Sequence, residues 1–122
     1  MPRNLLDQDR IHPAIRQTIA GSHADVVNAV QAAIAAHAIV VVGMQLNPFV
    51  RTARNALDAI GTPYTYLGYG GYLAGWRRRN ALKMWTGWPT LPMVFVHGTL
   101  VGGASELERL IANGELARML VR

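Results

Sequence analysis

Cysteine is absent from all 122 residues. Disulfides, thiolate-held zinc, thiolate-held iron–sulfur centres and every cysteine nucleophile are thereby excluded, and cysteine usage carries no imprint of a redox compartment. Long apolar runs are also missing. The best of them, AIVVVGM at 38–44, falls far short of the ~20 residues that cross a bilayer, and the first twenty residues contain no apolar signal core. A soluble, cytoplasmic protein without a membrane partner is the expectation. Acidic residues are few, seven against twelve Lys and Arg, for a formal charge of +5. Such a surplus favours anionic partners by long-range attraction, but its size suits a solvated basic face better than a nucleic-acid reader.

What remains is ample for one domain. About half the residues (51%) are apolar, enough to bury a core without metal or disulfide staples. Residues 1–21 read as an N-terminal arm with room for a short helix after Pro13. From Ser22, placed as an N-cap, Val26, Val27, Val30 and Ile34 recur at helical spacing and predict a helix over 22–36. AIVVVGM is β-branched and apolar on successive residues, as in a central strand buried on both faces. Asn47 then caps a helix that Pro48 opens, with Val50, Ala53, Leu57 and Ile60 as its inward stripe and Gly61 as its stop. A second strand is predicted at 63–69, so strand, helix and strand form a parallel crossover.

A helix over 72–86 contains WRRRNALKMW, and MVFVHGTLV at 93–101 is a hairpin turning on His97-Gly98. Ser105 with Glu108 three residues on reads as a capping box for a last helix, which Asn113-Gly114 breaks before a final turn at 115–121. The order is that of a compact α/β domain with a mixed sheet.

Three signals stand in sequence within that order: a Pro-aromatic turn after the first strand (NPFV), Thr-X-Pro before the hairpin (WPTLP) and Gly-Gly before the last helix (GGASELERL). Together they resemble the glutaredoxin branch of the thioredoxin fold from about Ser22 to Leu120, and the stretch from Asn80 onward is similar to the monothiol type. The resemblance implies a mixed four-stranded sheet flanked by helices over 22–122, with the arm outside it. It also implies that Pro92 is a cis-proline beside the active site, with Leu91 offering its backbone to glutathione or an extended peptide. Asn47-Pro48-Phe49-Val50 occupies the place of a Cys-Pro-aromatic-Cys motif with both thiols gone. Gln45 stands where the family has a basic residue, and Ala104-Ser105 after Gly103 where it has Cys-Asp. Arg79 and Lys83 match basic positions near the glycine carboxylate of glutathione.

An amide at position 47 neither ionises nor forms a mixed disulfide, so thiol–disulfide exchange lacks its attacking atom. The expected protein is therefore redox-inactive and accepts glutathione, or a small anionic or peptide ligand, in the old groove. Two other readings stay open: an interaction module that dimerises or holds a protein partner, and a relative of an oxidoreductase or iron–sulfur carrier whose cysteines were replaced. Asn47 serves as a cap in one view and as cap and ligand contact in another. Val50 packs in the core, and Phe49 is either groove lining or an exposed ring.

The remaining candidates are weaker. Arg77, Arg78 and Arg79 beside Trp76 suit nucleic acid in form, but read better as a solvated helix face, with Arg79 the one that has a reason to face a ligand. His12, His23, His37 and His97 are scattered and predict no metal site. Tyr64, Tyr66, Tyr69 and Tyr72 read as sheet and interface aromatics, Trp85 and Trp88 as packing over the proline corner or as groove wall. GYGGYLAG lacks the Lys-Ser/Thr of a phosphate loop and reads as a connector.

Overall fold

The computed structural model describes residues 8–10, 12–14, 24–71 and 75–121. Most of the expected arm, the proposed cap Ser22, His23 and Tyr72 lie outside the described residues. Among the described residues the elements follow in the order α1 (Ala24–Ala36), β1 (Ile39–Gly43), α2 (Pro48–Ala59), β2 (Thr65–Gly68), α3 (Trp76–Thr86), β3 (Met93–Val96), β4 (Thr99–Gly102), α4 (Ala104–Ala112) and α5 (Glu115–Leu120), after a 3-10 turn at Gln8–Arg10 and helical backbone at residues 13–14. Among the described residues no helix is long and apolar enough to cross a membrane.

The strands form one mixed sheet in the order β2-β1-β3-β4. β1 runs parallel to β2, as a strand–helix–strand crossover requires, and antiparallel to β3; β3 and β4 form the hairpin turning at His97-Gly98. All five residues of β1 are buried, because it is central and helices cover both faces. Its alternation divides the core: Val40 and Val42 pack with Val26, Val30 and Leu82 of α1 and α3, while Ile39 and Val41 pack with Ala53, Leu57 and Leu107 of α2 and α4. The result is an α/β/α sandwich.

Several details differ from the expectation. β2 begins at Thr65 rather than 63, and Ile60, expected on the inward stripe of α2, is the C-cap residue and is 45% exposed, so the stripe is Val50, Ala53 and Leu57. α3 begins at Trp76, not 72, with Gly75 in left-handed backbone (φ 80°) as its N-cap. α4 is capped two residues earlier than Ser105 and Glu108 suggest: Glu106 Oε1 accepts from the Gly103 N–H at 2.8 Å, and Ser105 lies inside the first turn. The Gly-Gly pair lets the chain turn directly from β4 into the helix, which moves the cap back by two residues.

Candidate functional site

Strand register gathers the motifs. Val42 faces Met93, Gly43 faces Gly68 and Val94 faces Gly102. The turn 44–47, the loop after β2, the segment before β3 and the start of α4 therefore all leave the sheet at one end.

At the centre of that end is the mouth of α2. Gly43 permits it to start hard against the sheet, since a Cβ there would lie 2.6 Å from Val50 Cγ1 and 3.0 Å from Tyr66 Cε1. Leu46 takes left-handed backbone (φ 58°) to reverse the chain. Asn47, extended at φ −96° and ψ 119°, then caps the helix: its Oδ1 accepts from the Phe49 N–H at 2.9 Å and the Val50 N–H at 3.1 Å. The donors that would stabilise an anion at a helix N-terminus are thus taken by the side chain's own amide oxygen. Val50 is buried, whereas Phe49 is 64% and Leu46 77% exposed. The open alternative for Phe49 resolves to an exposed ring.

The Leu91–Pro92 bond is cis, and both residues are buried. Gly103 packs on this segment so closely that a Cβ would sit 3.3 Å from the Pro92 carbonyl oxygen and 3.7 Å from Trp88 Nε1. That indole nitrogen is buried and has no hydrogen-bond partner among the described residues. Trp85 packs against Phe95, ring centroids 6.3 Å apart. Ala104 is buried and Ser105 exposed; the Ser105 hydroxyl donates to Glu106 Oε2 at 3.0 Å. The Gly103 N–H holds the Glu106 carboxyl below its ordinary pKa, with burial opposing and Ser105 assisting.

The basic candidates separate. Arg77 lies over the Trp76 ring at 5.2 Å and Arg78 pairs with Asp25 at 3.6 Å, both on the surface. Arg79, the one expected to face a ligand, turns inward: it is 6% exposed and its Nη1 donates to the Tyr69 carbonyl at 2.8 Å, tying α3 to the end of β2. Its position on α3 opposite the β2 loop brings that backbone acceptor within reach. Lys83, one turn on, is half-buried. Gln45 is exposed, and its N–H donates to the Gly70 carbonyl at 2.7 Å. Among the described residues no group of three or more His, Asp or Glu could hold a metal ion.

The sequence reading passed over a neighbouring feature. A groove of about 640 Å³ runs from the Gln45–Asn47 turn along the outer flank of α2, past Arg51, Arg54 and Asp58, with Tyr66 of β2 beside it. Arg54 Nε donates to the Tyr64 hydroxyl at 3.2 Å, and its guanidinium carbon lies 4.0 Å over the Tyr66 ring. Two arginines three apart on a helix, and two tyrosines two apart at and just before the start of the next strand, were the available signal.

A sandwich with this strand order, a helix mouth after the first strand and a cis-proline before the third define a thioredoxin-fold protein of glutaredoxin type. The chain is 43% identical over 94 residues to a glutaredoxin-like protein of Dictyostelium discoideum, covering 77% of this chain and 76% of that one. It is 36% identical over 81 residues to an uncharacterised monothiol glutaredoxin ycf64-like protein of Synechocystis, covering 64% and 73%. The crystal structure of oxidised glutaredoxin 2 from Chlamydomonas reinhardtii superposes with a TM-score of 0.70 at 28% identity, over 81% of this chain and 94% of that one. A buckwheat glutaredoxin–glutathione complex shares the fold with a TM-score of 0.72 at 23% identity, over 82% and 91%. No protein-family model matches the chain. The chain belongs to the glutaredoxin family, as a member without cysteine.

Proposed function

We propose that this protein is a redox-inactive glutaredoxin that binds glutathione, or a small peptide-like carboxylate, weakly in the cleft between the α2 mouth and the cis-Pro92 segment. The observation that carries the reading is the gathering of Gln45, Asn47, Leu91-Pro92 and Ser105 at one end of the sheet through the register of β1, β3 and β4. An extended ligand would lie along the Leu91 backbone, with Ser105 and Gln45 as polar contacts and Lys83 as the ionic one. Arg79 borders this end of α3, with its Nη1 bonded to the Tyr69 carbonyl. A relative's glutathione complex is in keeping with a thiol ligand of this size. Because Ser105 replaces a carboxylate and is engaged with Glu106, one charge-assisted contact is lost, and each such contact contributes about 1.5–3 kcal/mol. Affinity should therefore be roughly tenfold or more below that of a relative with the full set.

Titration with reduced glutathione, followed by calorimetry and by amide NMR, tests the reading. Saturable shifts at Gln45, Leu91 and Ser105 are expected. No heat, and no shift at these positions at millimolar ligand, discards it. A second reading, a protein-interaction module, is supported by the exposed Leu46 and Phe49 at the mouth. Sedimentation of the chain before and after Phe49→Ser distinguishes it, since loss of self-association in the variant belongs only to that reading.

A further inference from the structure

We propose that the groove along α2 and β2 is a second binding site, for a small ligand bearing a doubly charged oxyanion group held by Arg54 and Arg51. The proposal does not rest on the glutathione reading, with which it shares only the Gln45–Asn47 turn.

Arg54 is preset for such a ligand. Tyr64 takes its Nε–H and Tyr66 covers one face of the guanidinium, so the side chain is ordered before anything binds and less rotamer entropy remains to be lost. Its two Nη groups, however, have no acceptor among the described residues. Planar N–H pairs of this kind match phosphate or carboxylate oxygens two at a time. Arg51, one turn earlier on the same face, is exposed, and its side chain makes no hydrogen bond or ion pair among the described residues. Asp58 is the acid of the groove. It is felt by Arg54 as a charge without closing into an ion pair, so two guanidiniums face one carboxylate. Tyr64 and Asp58 raise the Arg54 pKa, and the charge is permanent at physiological pH.

The volume, about 640 Å³, is that of a small-molecule site rather than a single ion, and the chain's formal charge of +5 draws anions toward it. A phosphate monoester and a dicarboxylate share the required chemistry.

Inorganic phosphate, glycerol phosphate and succinate at low salt are the probes, read through the Arg54 Nε–H resonance and the amides of Arg51–Asp58. Saturable shifts are expected for at least one, and the probe that saturates names the source of the oxyanion. Arg51→Gln and Arg54→Gln should each weaken binding about tenfold. Asp58→Asn should tighten it about two- to threefold, a response that a purely structural Arg54–Tyr66 stack would not give. If Arg54→Gln fails to fold, Arg51→Gln and Asp58→Asn decide alone, because both side chains are exposed. Shifts that rise without saturating for all three probes, or an affinity unmoved by Arg51→Gln, would overturn the site.

Discussion

Asn47 offers the sharpest test of how this helix mouth works. Its Oδ1 satisfies two N–H groups at 2.9 and 3.1 Å, and one of them, on Val50, is part-buried. Removing the acceptor with Asn47→Ala leaves the exposed Phe49 N–H to water but strands the Val50 donor. The loss should fall in the upper half of the range for cap removal, about 1–2 kcal/mol, or about 3–8 °C in Tm for a domain of this size. Asn47→Asp keeps the acceptor and sets a negative charge at the positive end of the helix, which should restore the cap and add about 0.3–1 kcal/mol at neutral pH. Helix donors depress that carboxylate's pKa in the folded state. Its added stability is therefore present above the ordinary carboxylate value and lost as pH falls through the folded one. Asn47→Cys presents the same two donors to sulfur. The introduced thiol should titrate about 1–2 units below the ordinary ~8.5, followed through thiolate ultraviolet absorbance against pH. The reasoning is refuted if Asn47→Ala melts with wild type, or if the introduced thiol titrates at or above the ordinary value.

Two further perturbations probe the surrounding frame. Gly43→Ala drives a methyl into Val50 and Tyr66 at 2.6 and 3.0 Å and should cost about 1–3 kcal/mol by denaturant unfolding; adding Val50→Ala should recover part of this, and strictly additive losses would contradict the contact. The depressed pKa of Glu106 means its contribution is present above the ordinary 4.5 and lost as pH falls through the lower folded value. Glu106→Gln, which keeps an oxygen for the Gly103 N–H but does not titrate, should flatten the stability profile as pH falls below the ordinary carboxylate value, and equal slopes in both proteins would argue against it.

Local signals announced much of the frame. Asn47-Pro48 places cap and first-turn residues in adjacent positions, and the structure shows both in those roles. The unbroken β-branched run of β1 marked a central strand, and His97-Gly98 marked the hairpin turn. The start of α4 was misjudged because Ser105 and Glu108 satisfy the spacing of a capping box as well as Gly103 and Glu106 do. The structure forms the earlier pair, where the Gly-Gly turn leads straight from β4 into the helix and the Gly103 N–H meets Glu106. Arg79 was legible as a basic position on a helix but not as an inward one, since its acceptor, the Tyr69 carbonyl, is brought to it by the end of β2.

By itself, the sequence determined the chemistry that is closed to this protein and the order of its helices and strands, because missing atoms and residue periodicity are properties of the chain. Tertiary structure decided which polar groups distant along the chain meet. Arg54 finds Tyr64 and Tyr66 only because β2 lies parallel to β1 beneath α2, and the groove they border exists only once that crossover has closed. Helical spacing can put two arginines on one face, but the neighbouring strand decides whether they face water or a pocket.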